Sequence, residues 1–195
     1  MIVIVDLDVG NFANVRKALD GEVSNDPEAI RRADKLVLPG VGNFGAVVDR
    51  IEPLREVILN HISQGRPFLG ICLGMQLLYE RSRESPGDGL GVFAGDVIKL
   101  PEGMAPHIGW NQVSFNRDCK LFDGIPSGSY FYFVHSYYLK PKETALVSAE
   151  TSCRHDRKLL RFPTVICKKN VFGVQFHPEK SSKNGLTLLD NFKQL

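Results

Sequence analysis

Apolar residues open the chain as an almost unbroken run, "MIVIVDL", whose β-branched character fits a strand buried on both faces. A polar and apolar mixture follows in "GNFANVRKALDG", which predicts a helix with Asn11 as N-cap and Gly21 as its stop. "DPEAIRRAD" predicts a short helix with Pro27 in its first turn, and "KLVLPG" a strand ending in glycine. In "EPLREVILNHISQG" the residues Leu54, Val57, Ile58 and Ile62 recur at helical spacing, and Gly65 closes the stripe. "RPFLGI" then reads as a third strand, with Leu73 to Arg83 as the helix behind it. Strands separated by helices imply parallel pairing through right-handed crossovers, hence an open twisted sheet covered by helices on both faces. Ligands in such α/β sheets sit beyond the carboxyl ends of the strands.

After "SPGDGLG" the pattern changes. "GVFAGDVIKL", "NQVSF", "SYFYFVHSYYL", "TALVSAET", "TVICKK" and "FGVQF" are strand-like runs with Gly, Pro and Asn punctuation, expected to extend the same sheet. "GLTLLDNFKQL" predicts a closing helix. The expected fold is α/β and flavodoxin-like: an open, mostly parallel sheet with a β-rich C-terminal half. At 195 residues, with 43% hydrophobic and 24% charged residues, one domain over residues 1–195 can bury a sizeable core. No repeat, linker or low-complexity segment interrupts it.

A formal net charge of +2 with scattered basic pairs gives no stripe for nucleic acid. The one compact basic group, Arg154 to Arg161, reads as a solvated hairpin or loop. With no leader-like segment and no apolar run long enough to span a bilayer, the expectation is a cytoplasmic chain. Cys72, Cys119, Cys153 and Cys167 contain no C-x-x-C pair, so neither a disulfide framework nor a zinc ribbon is expected, and three of them read as bystanders. No metal or cofactor is called for.

Cys72 differs from the other three by its setting. Gly70-Ile71-Cys72-Leu73-Gly74 fits the G-x-nucleophile-x-G elbow, in which a nucleophile sits on a tight strand-to-helix turn and its glycine neighbours avoid side-chain clashes. There the sulfur faces the first turn of a helix, an environment that favours thiolate. The bland alternative is a small buried hydrophobe. Far downstream, "GVQFHPEKSS" puts His177 and Glu179 two residues apart in an extended stretch held by Pro178. His177 alone reads as a strand-end surface histidine, but as part of His-Pro-Glu and together with the elbow the pair reads as general acid/base and orienter for the cysteine. His61, His107, His135 and His155 have weaker claims. Acyl transfer also needs oxyanion donors. The amide of Leu73, just after the nucleophile, is one; the amide of Val41 or Gly42, in "LPGVGNFG", is the other, unless those glycines merely turn a strand into a helix.

Taken together and in this order, "LPGVGNFG", "GICLGMQ" and "VQFHPEKS" resemble the class I, triad-type glutamine amidotransferases. Within that family "PHIGWN" and "YFVHSYY" are similar to the glutaminase subunits of imidazole glycerol phosphate synthases. The resemblance implies L-glutamine as substrate, Cys72, His177 and Glu179 as catalytic residues, and Gly40, Gln76, Glu84, Ser136 and Tyr137 as the substrate pocket. On residues alone, Gln76 and Glu84 read equally as solvated helix positions.

It further implies a partner, a (βα)8-barrel cyclase in a heterodimer, to which ammonia is channelled for histidine biosynthesis. Asn11, Trp110 and Lys180 match docking positions, whereas a sole tryptophan reads equally as core packing. One departure stands out: relatives commonly carry Asp-Tyr-Gly-x-Gly-Asn in the first loop, where this chain has "DLDVGN", with Leu7 and Asp8 in place of Tyr and Gly.

Overall fold

The first strand, β1 (Ile2–Val5), shows how the core is divided. Val3 and Val5 pack on one side of the sheet and Ile4 on the other, as the alternation of side chains along a strand requires. The computed structural model describes residues 1–8 and 12–195, so Asn11, expected as an N-cap and docking residue, lies outside the described residues. In chain order there follow α1 (Phe12–Leu19), β2 (Glu22–Ser24), α2 (Pro27–Arg32), β3 (Lys35–Gly40), α3 (Phe44–Ile51), α4 (Arg55–Ser63), β4 (Phe68–Cys72) and α5 (Leu73–Gln76). The remainder is β5 (Tyr79–Ser82), β6 (Phe93–Lys99), β7 (His107–Phe115), β8 (Ser129–His135), β9 (Tyr137–Pro141), β10 (Val147–His155), β11 (Lys158–Lys168), β12 (Val171–Val174) and α6 (Ser182–Gln194).

Nine strands form the main sheet in the order β2-β1-β3-β4-β12-β11-β10-β7-β8. Pairings from β2 to β12 are parallel, and those from β12 to β8 antiparallel. Residues of α3 and α4 (Phe44, Val47, Ile51, Val57, Ile58) cover one face. Those of α1 and α6 (Val15, Leu19, Leu188, Leu189, Phe192) cover the other. The helix ends are specified locally: the Asp26 carboxylate accepts the Glu28 N–H at 3.0 Å to start α2, and Asn43 does the same for Gly45 at 2.9 Å to start α3.

Four expectations need correction. The helix expected from Leu73 to Arg83 stops after one turn, and Tyr79–Ser82 becomes a strand. Every residue from Leu73 to Tyr79 is buried, so no polar face exists to sustain a surface helix, and Tyr79 instead pairs with Phe93. Secondly, β6 does not extend the main sheet: with β5 and β9 it makes a second sheet of three strands. The run "SYFYFVHSYYL" breaks at Ser136, sending β8 into the large sheet and β9 into the small one. Thirdly, β2 is an added strand, and α3 is the helix that the alternative reading of the "LPGVGNFG" glycines left open. β2 is only three residues long, and α3 occupies part of a stretch read as loop glycines.

Finally, Cys119 and Cys167 are joined in a disulfide, with Cα atoms 6.3 Å apart and a separation of 48 positions along the chain. The bond ties the short turn Lys120–Phe122 to the end of β11. Spacing along the chain carries no trace of this proximity. Closing a loop of that length restricts the unfolded chain, and in the entropic account contributes about 4 kcal/mol. Reduction, or Cys119→Ser, is expected to lower stability by up to about that amount, read from thermal unfolding with and without reductant.

The first-loop departure fits the backbone. Asp8 adopts φ 54, a left-handed conformation that glycine takes freely and aspartate tolerates. Its N–H bonds the Asp6 carboxylate at 2.8 Å, while the buried Leu7 offers its carbonyl to Arg50 at 2.8 Å.

Candidate active site

Cys72 ends β4 with φ 54 and ψ −108, a conformation side chains rarely accept, and the chain turns there directly into α5. The turn is possible only with glycine on either side. A Cβ on Gly70 would come within 2.6 Å of the Gly74 carbonyl oxygen, and a Cβ on Gly74 would overlap the Leu38 carbonyl of β3. Register places Gly40, the last residue of β3, directly beside Cys72. The sulfur thus stands at the carboxyl edge of the parallel strands, beside the end of the neighbouring strand.

β12 lies next to β4 in the sheet and delivers His177 to the same edge. Its position is fixed by backbone bonds: His177 N–H to the Tyr132 carbonyl at 2.9 Å, and Ser181 Oγ to the His177 carbonyl at 2.6 Å. Ser181 Oγ in turn accepts the Tyr132 N–H at 2.9 Å, so the His-Pro-Glu turn is stitched to β8. Nδ1 of His177 lies 2.8 Å from Glu179 Oε1, with both side chains almost wholly buried. Nε2 is buried with no hydrogen-bond partner. Burial alone would lower the pKa of this imidazole, but the adjacent Cys72 sulfur and the Glu179 carboxylate outweigh it and push it up to about 10. The arrangement suits an imidazole that keeps its proton between the sulfur and the carboxylate.

A cavity of about 430 Å³ opens onto the sulfur, lined by Cys72, Leu73, Gln76, Val41, Gly42, Glu84, Ser136, Tyr137 and Lys180 among others. Of the expected pocket and oxyanion residues, only Gly40 lies behind this lining. Gly42 has φ 105, so the segment after β3 needs a glycine there for conformation, not for space. Gln76 is buried, not solvated. Glu84 does something the sequence did not suggest: its Oε2 accepts the Phe44 N–H at 2.7 Å and, with Ser85 Oγ on the Gly45 N–H at 2.7 Å, fastens the start of α3 behind the 40–43 segment.

Two further side chains belong to the site, one beside the sulfur and one in the cavity lining. Gln175 is fully buried and its Nε2 lies 3.6 Å from Cys72 Sγ. His135, given only a weak claim, lines the cavity and donates from Nδ1 to the Tyr137 carbonyl at 2.8 Å. Burial lowers its pKa to about 3 and keeps it neutral. A glutamine between Val174 and Phe176 in an otherwise apolar strand was the available signal for the first of these.

Trp110 is not core. It is 53% exposed on β7, edge to face with Tyr132 at 6.1 Å, and together with Ile108 and Tyr130 it makes an uncovered apolar surface on the β7–β8 edge of the main sheet. Lys180 follows Glu179 at the cavity mouth. Among the described residues no cluster of three His, Cys, Asp or Glu side chains is arranged to hold a metal, and no helix is long and apolar enough to cross a membrane.

A family model for class-I glutamine amidotransferases matches residues 14–195. Imidazole glycerol phosphate synthase subunit HisH of Pyrococcus furiosus is 57% identical over 195 residues, spanning 100% of this chain and 98% of that protein. The protein of the same name from Thermococcus kodakarensis is 56% identical over 196 residues, spanning 100% of both chains. Among solved structures, a glutamine amidotransferase superposes with a TM-score of 0.74 at 17% identity, covering 98% of this chain and 99% of that one. PurLQS from Thermotoga maritima does so with 0.72 at 17%, covering 98% and 96%. At such identities these two structures speak to the fold alone.

Proposed function

This chain belongs to the class-I glutamine amidotransferases, and from that premise we infer that it is the glutaminase subunit of an imidazole glycerol phosphate synthase, acting in histidine biosynthesis. The observation that supports the chemistry best is that Cys72 lines a cavity of about 430 Å³ while the buried His177, paired with Glu179, adjoins its sulfur from beneath that lining. In this reading residues 1–195 work as one domain. Cys72 attacks the side-chain carboxamide carbon of L-glutamine, and the oxyanion is met by the amide of Leu73 and that of Val41 or Gly42. His177, oriented by Glu179, gives its proton to the departing nitrogen, leaving a γ-glutamyl thioester, and then takes a proton from the water that releases glutamate. Gln76, Glu84, Ser136, Tyr137 and Gly40 shape the pocket for the amino-acid end. Lys180 at its mouth and Trp110 belong to the docking surface.

The partner is the barrel cyclase, in a cytoplasmic heterodimer. A closed passage between the two proteins makes physical sense, because free ammonia is mostly protonated near neutral pH and ammonium has no lone pair with which to attack. The uncovered Ile108, Trp110 and Tyr130 surface suits such a contact, since aromatic anchors concentrate at interface centres. Glutamine hydrolysis measured alone and with the cyclase plus its nucleotide ligand tests the assignment. Stimulation of about ten- to a hundred-fold is expected, in the usual range of coupling between sites. Equal rates, or stimulation by an anthranilate or aminodeoxychorismate synthase instead, would move the chain to another pathway.

A further inference from the structure

We propose that Gln175 is a catalytic residue, one whose side-chain N–H is aimed at the Cys72 sulfur and favours its thiolate, and that its orientation is dictated by the Tyr137 carbonyl through Gln76. The inference rests on the glutaminase reading above and adds a residue to its machinery.

The direction of each bond follows from what its partner can do. A backbone carbonyl only accepts, so Gln76 must present its NH2 to Tyr137 O, at 3.1 Å. The same Nε2 lies 3.1 Å from Gln175 Oε1, which takes its second hydrogen. With Oε1 committed, Gln175 has only its NH2 to turn toward Cys72, and Nε2 lies 3.6 Å from the sulfur. Gln76, having spent both hydrogens, keeps Oε1 as the atom it can offer a substrate ammonium.

Tyr137 O is itself held in place. His135 Nδ1, facing that carbonyl, carries the proton, which leaves Nε2 to accept from His107 Nδ1 at 2.9 Å. His107 Nε2 then accepts from Asn111 Nδ2 at 3.1 Å, and the remaining Asn111 N–H goes to Ser152 O at 2.9 Å. Asn111 Oδ1 accepts the Gln112 N–H at 2.8 Å. Every donor in this series has one acceptor, and both imidazoles are neutral, in keeping with burial lowering the pKa of each. Gln175 is fully buried and cannot be turned over without leaving a polar atom unpaired. A donor beside sulfur favours the anion, whereas the Val134 carbonyl, 3.9 Å from Sγ, accepts from the thiol only. The orientation of Gln175 therefore tips the balance between the two.

The test is iodoacetamide alkylation of Cys72, followed residue by residue by mass spectrometry across pH, with no glutamine present. Gln175→Leu removes the donor and is expected to slow alkylation at neutral pH by about ten- to a hundred-fold and move its midpoint to higher pH, with kcat falling more than KM rises. Gln175→Glu keeps an acceptor for Gln76 but sets a carboxylate against the sulfur, so its alkylation is slower still. Thermal unfolding identifies variants that have lost the fold, and either folded variant decides. A folded variant with the unmodified protein's profile overturns the proposal. Because the probe is not glutamine, that result in a chain that hydrolyses glutamine leaves the functional reading standing. A shifted profile in a chain inert toward glutamine sinks the functional reading alone.

Discussion

Cys72→Ala is expected to reduce glutamine hydrolysis by at least about 10⁴-fold while the fold survives, because nucleophiles acting as a unit with a base lose nearly all their contribution together. The side chain is small and only slightly exposed, so removing its sulfur leaves a minor void. A folded variant that still hydrolysed glutamine would exclude a thioester route. The same variant carries a second, independent signal. In the unmodified protein the Cys72 sulfur and the Glu179 carboxylate raise the pKa of His177 to about 10, against a burial effect in the opposite direction. The ordinary histidine value is 6.5, so this pair contributes stability that is complete below that pH and is lost as pH rises through the folded value. Without sulfur, burial is unchanged but one of the two neighbours that raise the value is gone, so His177 must titrate lower. The alkaline limit of stability should retreat toward neutrality with it. Imidazole resonances followed by NMR across pH measure the first effect, and alkaline unfolding measures the second.

Among the described glycines Gly74→Ala is expected to be the most damaging added methyl, costing more than about 4 kcal/mol and removing activity with the fold. The reason is not conformational, since Gly74 sits in a helical turn. A Cβ there would occupy the space of the Leu38 carbonyl oxygen, and that carbonyl belongs to a strand whose neighbours are fixed on both sides. A flexible side chain can move away from a methyl, but a sheet backbone cannot. Gly42→Ala makes the comparison: nothing lies within 4 Å of the added carbon, so only the φ of 105 resists it and the fold should persist. Unfolding midpoints of the two variants give the answer, and a Gly74→Ala protein as stable as its parent would contradict the close approach of the elbow to β3.

Much of this arrangement was legible in the sequence because the signals were local. Doubly buried strands announce themselves as apolar runs, and β1, β3 and β4 fall within a residue or two of the runs that predict them. The elbow and the His-Pro-Glu turn were legible because their chemistry depends on spacing within a few residues. What escaped was decided by tertiary partners. Residues Leu73 to Tyr79 form one mostly apolar, wholly buried run, and pairing with β6 makes Tyr79–Ser82 a strand. Cys119 and Cys167 carry no mutual signal at a separation of 48. Glu84 reads in the sequence as a substrate contact or a solvated residue, and its bond to the start of α3 depends on a loop brought across from forty positions away. Gln175, just past β12, shows in the sequence only as a polar residue in an apolar run, and what it does there depends on the sulfur that the fold brings beside it.

The place of β12 between β4 and β11 has a bearing on how such a chain is made. A ribosome releases the cysteine's strand long before it releases the histidine's, so the growing polypeptide carries β4 with an unmatched flank through most of its synthesis. Non-local pairing of this kind is entropically slow to form. Chemistry and folding therefore reach completion in the same late event: until the C-terminal segment threads into the gap, the nascent protein has neither a finished sheet nor a base to arm its thiol, and it cannot release ammonia prematurely.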